Sequence, residues 1–367
     1  MSNTRHALSE YVELLADEGL LAAPVAVGGL LAQEVELVAC DSQRVVANTL
    51  FICKGAHFRE GYLADAAARG AIAYVSELEY PAVDLPCILV SDVRRAQAHL
   101  ATFFYGDPWK QVKVTGITGT KGKSSTSYYV KSILDEWMKA SGNAETGVLG
   151  SVDTFDGVER FEPHLTTPEP LDLQRHLANC VQSGTEFMTM EVSSQALKYD
   201  RMLGMRLSVA VFLNIGYDHI SGIEHPDWED YFASKLRIFE LSDVGIVNLD
   251  SEHADRILDA SRVCERVVTF SERDSSADVF AYDIRKQDED TVFRVRTPRF
   301  DREFRLSMPG LFNVQNALAA IAICLVYGVP ERAVYTGLMK ARVPGRMEVY
   351  ANADRRVVAI VDYAHNR

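Results

Sequence analysis

The 367-residue sequence has little positive charge, few cysteines and no long hydrophobic run. Its 51 Asp and Glu residues outnumber its 38 Lys and Arg residues, so the formal net charge is −13. This balance argues against general binding to nucleic acid or insertion into a membrane, and an anionic substrate must be met by local positive groups or metal ions. The most apolar run, residues 317–329, is too short to span a bilayer.

The six cysteines are scattered, with no C-x-x-C pair and no histidine at ligand spacing. This pattern predicts buried thiols in a reducing compartment and argues against a structural zinc site. The first residues lack the apolar core of a signal peptide. We therefore expect a cytoplasmic protein.

Length and hydrophobic pattern predict an α/β protein with two or three domains. Helical and extended segments alternate up to a turn-rich stretch at 105–109, which predicts a small α/β domain over residues 1–110. A central domain is expected over residues 111–345, with a mostly parallel sheet. The near-continuous apolar runs typical of its buried parallel strands are 186–192, 207–214 and 244–249.

The later part of the chain has two further patterns. Alternating apolar and polar residues predict an antiparallel meander on the edge of the sheet, with strands at 278–284, 291–297 and 303–307. A helix is predicted over 313–327. Residues 356–362 have the pattern of a buried strand, and the sequence ends five residues later. Residues 346–367 are therefore expected to begin a third domain that is incomplete here.

A glycine-rich turn between a predicted strand, 112–117, and a predicted helix from Ser124 indicates a site for nucleotide phosphates. Glycines allow successive N–H groups to converge on an anion, and the helix N-terminus adds its positive dipole end. Lys123 would reach the β- and γ-phosphates, and the Ser124 hydroxyl would bind Mg²⁺. The usual spacing is broken because Ile117 stands where the first glycine is expected, and an ordinary glycine-rich turn is the alternative interpretation.

Other polar residues follow predicted strands, where parallel sheets place their chemistry. Glu191 could hold Mg²⁺ or act as a capping carboxylate. His219 could ligate a metal or orient phosphate, although a lone histidine is more often structural. The helical pattern around Lys235 indicates a solvated helix face. Thr166 and Thr167 offer hydroxyls in a turn that is equally typical of a plain connection.

Several motifs, in order, resemble those of the Mur ligase family of peptidoglycan synthesis. Within that family they are most similar to the MurE type, which adds the third residue to UDP-N-acetylmuramoyl-L-alanyl-D-glutamate. The matching segments are Asp41-Ser42, Lys54-Gly55, GITGTKGKSS at 116–125, Thr166-Thr167-Pro168, MEVSSQAL at 190–197 with Arg201, Asn214 with Asp218-His219, YFASKLRIF at 231–239, PGLFNVQNALAA at 309–320, PGRME at 344–348 and DYAH at 362–365.

The resemblance implies site residues and cofactors, with ATP and Mg²⁺ bound in the central domain. The residues implied for ATP are Gly119, Thr120, Lys121, Gly122, Lys123, Ser124, Ser125, Asn313, Asn316, Arg346 and Asp362. The residues implied for metal are Ser124, Glu191, His219 and a carbamylated Lys235, and those implied for catalysis are Lys123, Glu191, His219 and Lys235. The residues implied for the UDP-muramoyl-dipeptide are Ser42, Thr166, Thr167, Ser193 and Arg201.

The implied reaction is ATP-driven amide formation between UDP-N-acetylmuramoyl-L-alanyl-D-glutamate and a diamino acid, through an acyl phosphate. The resemblance also implies a monomer and a Rossmann-like third domain. The sequence departs from the family pattern at Lys121, Leu165 and Gln195. Lys121 and the DYAHN ending resemble the branch that adds L-lysine more than the branch that adds meso-diaminopimelate.

Three alternatives stay open at this point. The chain could be a sister ligase, either another Mur enzyme or a folylpolyglutamate synthase. It could also be a module that binds nucleotide and UDP-sugar without turnover. A general P-loop NTPase that hydrolyses ATP for motion lacks support, because no arginine-finger or switch pattern is evident.

Overall fold

The computed structural model describes residues 5–25, 28–55, 58–217, 220–221, 224–288, 290–308, 310–345, 348–351 and 358–362. The chain divides into two compact units. The first comprises Met1–Lys110, Pro168–Ala178 and Tyr199–Met205, and the second comprises Gln111–Thr167, Asn179–Lys198 and Arg206–Arg367. The division into three domains that we expect from the sequence stays a prediction.

The first unit is a small α/β fold around a four-stranded parallel sheet, in the order β3-β4-β5-β6. Its strands are β1 (His6–Ala7), β2 (Glu34–Val35), β3 (Leu37–Ala39), β4 (Thr49–Ile52), β5 (Ala71–Ser76) and β6 (Cys87–Leu89). Its helices are α1 (Leu8–Asp17), α2 (Glu60–Arg69) and α3 (Val93–Phe104). The α/β alternation predicted for this part of the chain is therefore confirmed.

Local sequence signals explain where these elements begin and end. The Asp92 carboxylate accepts the N–H groups of Arg94 and Arg95, which caps the start of α3. Gly70 ends α2 with φ of 107°, and a Cβ there would lie 2.9 Å from the Cα of Ala47. Only glycine fits this helix-to-strand connection without strain.

The second unit is built on an eleven-stranded sheet. Its strands are β7 (Lys113–Thr118), β8 (Gly147–Leu149), β9 (Thr154–Phe155), β10 (Arg160–Phe161), β11 (Phe187–Glu191), β12 (Leu207–Phe212), β13 (Ser242–Asn248), β14 (Arg266–Ser271), β15 (Val279–Gln287), β16 (Asp290–Arg296) and β17 (Asp301–Leu306). Its helices are α4 (Lys123–Ser141), α6 (Ser194–Lys198), α7 (Trp228–Leu236), α8 (Ala254–Ser261), α9 (Asn313–Val326) and α10 (Glu331–Lys340), and α5 (Pro170–Ser183) has residues in both units.

The strand order of this sheet is β10-β9-β8-β11-β7-β12-β13-β14-β15-β16-β17. All neighbours from β8 to β15 pair in parallel, and both ends of the sheet are antiparallel. The predicted parallel core and the predicted meander are confirmed. Because β11, β7 and β12 are adjacent and parallel, the loops after them lie at one edge of the sheet, where α/β folds place ligands.

The predicted strand near the end of the chain is also present. A strand β19 (Val358–Val361) pairs antiparallel with β18 (Glu348–Ala351), and β18 has no counterpart among the strands predicted from the sequence. Among the described residues, no helix is both long and apolar enough to cross a bilayer.

The six cysteines are all free thiols. Four of them are buried, as predicted, whereas Cys40 and Cys87 are only half-buried. Burial raises the pKa of Cys40 and of Cys53 to about 12, and it also raises the pKa of Cys87. At neutral pH these groups are therefore protonated thiols rather than reactive thiolates.

Candidate active site

The phosphate loop, defined here as residues 119–122, connects the central strand β7 to the N-terminus of α4. Gly122 precedes the first residue of the helix and has φ of 88°, in the left-handed region that favours glycine. A Cβ on Gly122 would lie 2.3 Å from Oδ1 of Asn316. The strand, turn and helix predicted from the sequence are therefore all present, and at Gly122 the turn has no room for a side chain.

The loop is held by Asn214, which follows β12. The Asn214 carbonyl oxygen accepts the N–H of Thr120 at 3.0 Å, and its side-chain Oδ1 accepts the N–H of Lys121 at 2.9 Å. Its Nδ2 group donates to the Lys121 carbonyl at 3.0 Å. Asn214 belongs to one of the motifs quoted above, but no sequence pattern indicates this role. Three hydrogen bonds fix the loop to the neighbouring strand end before any ligand binds.

Two lysine side chains lie under this loop. Lys123 Nζ donates to the carbonyl oxygens of Gly119 at 2.9 Å and Thr120 at 3.3 Å. Lys235 Nζ, from α7, donates to the same Gly119 oxygen at 3.1 Å. Lys235 is only 2% exposed. The prediction that it lies on a solvated helix face is therefore wrong. The loop therefore combines backbone N–H groups, a helix N-terminus and two ammonium groups, which suits an anion.

A buried carboxylate lies at the end of the adjacent strand β11. Glu191 is 2% exposed, and its Oε1 accepts the Ser151 N–H at 3.0 Å and the Ser151 hydroxyl at 3.3 Å. The hydroxyl oxygens of Ser151 and Ser124 are 3.2 Å apart. One carboxylate and two hydroxyls are the hard oxygen donors that Mg²⁺ prefers. The residues present fit Mg²⁺, and Ser151 is a candidate that no sequence motif indicated.

Two of the residues predicted to bind the substrate, Thr167 and Ser193, are hydrogen-bonded to each other next to the backbone of Glu191. The hydroxyl of buried Thr167 donates to the Glu191 carbonyl oxygen at 2.9 Å, and the same hydroxyl accepts the Ser193 N–H at 3.0 Å. Ser193 Oγ in turn accepts the Ala196 N–H at 3.1 Å. Thr166 precedes this group and is half-buried. Thr167 and Ser193 thus form one hydrogen-bonded group beside the candidate metal ligand.

The start of α9 also lies beside the phosphate loop. Asn313 and Asn316 are buried, and Asn316 Nδ2 donates to Asn313 Oδ1 at 3.1 Å. Thr126 in α4 donates to Asn316 Oδ1 at 3.5 Å. Both asparagines therefore lie near the loop, and their contact with the nucleotide stays a prediction.

A separate cleft of about 450 Å³ lies within the first unit. Lys54 and Arg201 both pair with Glu169 there, the latter at 2.8 Å. Ser42 is buried and begins a short 3₁₀ turn next to Asp41, which lines the cleft. Lys54 and Glu169 thus line the cleft, and Arg201 pairs with Glu169 beside it.

The remaining predicted site residues are placed as follows. Ser125 lies in the first turn of α4, and Lys121 is exposed in the phosphate loop. Asp362 follows β19 and is exposed. Its role in binding the nucleotide stays a prediction. His219 and Arg346 lie outside the described residues.

Comparison with known proteins identifies relatives. Residues 117–324, more than half of the chain, match the family described as the Mur ligase middle domain. The UDP-N-acetylmuramoyl-L-alanyl-D-glutamate–L-lysine ligase of Streptococcus pyogenes serotype M28 (strain MGAS6180) is 36% identical over 335 residues. That match covers 90% of this chain and 66% of the relative, so the chain spans just under two thirds of the relative's length.

Solved structures share the fold. A UDP-N-acetylmuramoyl-L-alanyl-D-glutamate–2,6-diaminopimelate ligase superposes with a TM-score of 0.81 at 24% identity, over 99% of this chain and 72% of that one. The MurF ligase from Thermotoga maritima in complex with ADP gives a TM-score of 0.61 at 19% identity, over 88% of this chain and 70% of that one. The predicted α/β fold is confirmed by these neighbours. Since the middle-domain family matches more than half of its length, the chain belongs to the Mur ligase family.

Proposed function

We propose that this chain serves an ATP-dependent amide ligase that adds L-lysine to UDP-N-acetylmuramoyl-L-alanyl-D-glutamate. The observation that supports this most is the convergence of Lys123 and Lys235 on Gly119 O, at a helix N-terminus beside the Ser124, Ser151 and Glu191 oxygens. Such an arrangement of cationic groups, backbone N–H groups and hard oxygen donors suits a triphosphate with its metal ion.

The chain's own residues would act mainly by positioning and electrostatics. The loop N–H groups would bind the β- and γ-phosphates, and Lys123 would exchange its loop carbonyls for phosphate oxygens. Ser124 and Glu191 would hold Mg²⁺, with His219 and a carbamylated Lys235 implied for a second ion. When bound, the metal supplies charge neutralisation on the phosphates.

The reaction would then proceed in two steps. The D-glutamate side-chain carboxylate attacks the γ-phosphorus in line, and the bond to the ADP oxygen breaks, which gives an acyl phosphate. The lysine amine attacks the acyl carbon, phosphate leaves, and the amine loses a proton to give the amide. Thr167 and Ser193 are proposed to contact the peptide end of the acceptor substrate, since their hydroxyls meet beside Glu191.

In the first unit, Arg201 and Lys54 are proposed to contact the anionic part of the UDP-substrate, near Ser42. L-lysine is preferred over diaminopimelate for two reasons. The relative at 36% identity is an L-lysine ligase, and Lys121 resembles that branch. We further propose a cytoplasmic protein, because ATP and nucleotide sugars are cytoplasmic metabolites, and a monomer, as the resemblance implies.

Lys123→Ala tests the proposal. We expect nucleotide affinity, measured by calorimetry with ADP and Mg²⁺, to fall at least about 100-fold, because a charged donor to the phosphates is lost. ADP release that depends on both the UDP-muramoyl-dipeptide and L-lysine should disappear with it. Lys139→Ala is the matched control, since Lys139 is exposed on the same helix α4.

Other outcomes would identify the alternatives. ADP release triggered by folate and glutamate would identify a folylpolyglutamate-type ligase. Binding of nucleotide and UDP-sugar without any amide product would identify a binding module. ATP hydrolysis that needs neither substrate would identify a general NTPase.

A further inference from the structure

His225 is a fully buried histidine that none of the site motifs includes, and it joins two elements near the candidate site. Its Nδ1 atom lies 2.6 Å from Oδ2 of Asp230, and its Nε2 atom lies 2.9 Å from Oγ of Ser194. The relative exposure of His225 is 0%, and that of Ser194 is 5%. A carboxylate only accepts hydrogen bonds, so Nδ1 donates to Asp230, and in the neutral ring Nε2 accepts the Ser194 hydroxyl.

The imidazole is itself held in place. Asp230 also accepts a hydrogen bond from Lys198 Nζ at 2.6 Å. The Asp230 N–H is bound by Asp227 Oδ1 at 2.8 Å, which caps the start of α7. The ring of Tyr231 packs edge-on against His225, with centroids 5.3 Å apart. The orientation of the His225 ring is therefore fixed by α7.

The residue that His225 holds lies next to the proposed acceptor-substrate contact. Ser194 is the first residue of α6, and Ser193 precedes it in the turn that leaves Glu191. Thr167 holds this turn at its start through the Ser193 N–H, and His225 holds it at its end through the Ser194 hydroxyl. On the far end of α6, Arg237 donates to the Leu197 carbonyl oxygen at 2.7 Å. His225, which precedes α7, and Arg237, which follows it, thus contact α6 at its two ends.

A serine, a histidine and an aspartate in this order also occur in nucleophilic catalysis. Here the serine hydroxyl is 5% exposed and binds an imidazole that is 0% exposed, so an electrophile has little access to it. The burial favours a role in placing the turn over a role in attack.

We propose that His225 is a positioning residue that sets the place of Ser193, and through it the affinity for the UDP-muramoyl-dipeptide. This inference rests on the proposed function. The affinity for nucleotide should not depend on His225, because the Glu191 carboxylate is oriented separately by Ser151. The inference therefore predicts that the two affinities respond differently to the same substitution.

The test uses Ser194→Ala, which removes the hydroxyl while leaving His225 and α7 intact. Calorimetry with UDP-N-acetylmuramoyl-L-alanyl-D-glutamate should show a loss of about tenfold or more, the effect of one lost buried hydrogen bond. Affinity for ADP with Mg²⁺ should stay within about twofold. Ser261→Ala is the matched control, because Ser261 is also buried and its hydroxyl donates to the Leu258 carbonyl oxygen in its own helix α8.

A spectroscopic measurement supplies the second readout. Nitrogen-15 NMR of the histidines should show the Nδ1-protonated form of His225 in the wild type, and Asp230→Asn should change that signal. An unchanged acceptor affinity in Ser194→Ala, or an equal loss of both affinities, would overturn the inference. A wild type that binds ADP with Mg²⁺ and not the UDP-muramoyl-dipeptide would instead overturn the proposed function.

Discussion

The ammonium groups of Lys123 and Lys235 donate to one and the same acceptor, the carbonyl oxygen of Gly119. Two positive charges on one neutral oxygen repel each other, and Lys235 is almost fully buried. A bound phosphate would interact favourably with both ammonium groups. Carbamylation of Lys235 by carbon dioxide removes its positive charge and provides oxygen ligands for a metal ion.

We predict that Lys235 carries a carbamate, as the resemblance to the Mur ligase family implies. Incubation with carbon-13-labelled bicarbonate should give a carbamate carbon signal in the NMR spectrum of the wild type. Lys235→Ala should lose that signal, and Lys139→Ala, which removes an exposed lysine, should keep it. A signal that persists in Lys235→Ala would show that the modification lies elsewhere.

Gly150→Ala should impair metal-dependent nucleotide binding without unfolding the chain. A Cβ at this position would lie 2.5 Å from Oε1 of Glu191, so the carboxylate must move away from Ser151. We expect the Mg²⁺ concentration that gives half-maximal ADP binding to rise by about tenfold, as for one lost hydrogen bond to a charged group. Calorimetry across a magnesium series measures this shift.

Gly61→Ala provides the control for that substitution. A Cβ on Gly61 meets nothing within 4 Å, and the residue lies inside helix α2. Alanine should stabilise this helix by about 0.5–1 kcal/mol and leave nucleotide binding unchanged. An equal effect of both substitutions on magnesium dependence would contradict a specific role for Gly150.

Glu169→Gln should destabilise the first unit. The carboxylate pairs with Lys54 and Arg201, whose side chains are only 17% and 12% exposed, so the substitution removes one ion pair from each of two partly buried cations. We expect a loss of about 1–3 kcal/mol in the free energy of unfolding, measured by chemical denaturation. Glu186→Gln is the control, since its exposed pair with Lys113 should contribute less than about 1 kcal/mol.

The stability contributed by Asp230 should depend on pH in the acid range. The hydrogen bond from Lys198, and after it the one from His225, holds the pKa of the Asp230 carboxyl below its ordinary value of 3.8. A lowered pKa in the folded state adds stability above the unfolded pKa, and this stability is lost as the pH falls through the folded pKa. The difference in unfolding free energy between wild type and Asp230→Asn should therefore shrink from about pH 4 downward. A difference that grows with acidification would contradict this assignment.

Much of the second unit could be predicted because its signals are local. Buried parallel strands show continuous apolar runs, the meander shows alternation, and a strand followed by glycines and Lys123 indicates a phosphate loop whatever the rest of the chain does. The two-residue strands β9 and β10 carry too few residues for a periodic pattern, so they were missed.

The contacts that build the site were less predictable. Ser151 and His225 have no motif of their own, and they matter because the fold brings them to Glu191 and Ser194. The burial of Lys235 was also not predictable from its local pattern. Its helical spacing is that of a solvated face, whereas the polar atoms that it meets belong to a loop more than a hundred residues earlier in the chain. Sequence periodicity indicates the type of a helix or strand, but it does not show which other part of the chain packs against it.

The composition of β17 at one end of the eleven-stranded sheet affects how the protein behaves at high concentration. Four of its six residues are charged, Asp301, Arg302, Glu303 and Arg305, and the strand at the opposite end, β10, is only two residues long. An outer strand that is charged or short is a poor template for a strand of another molecule. The sheet can therefore be very wide without offering an edge from which aggregates or fibrils would grow.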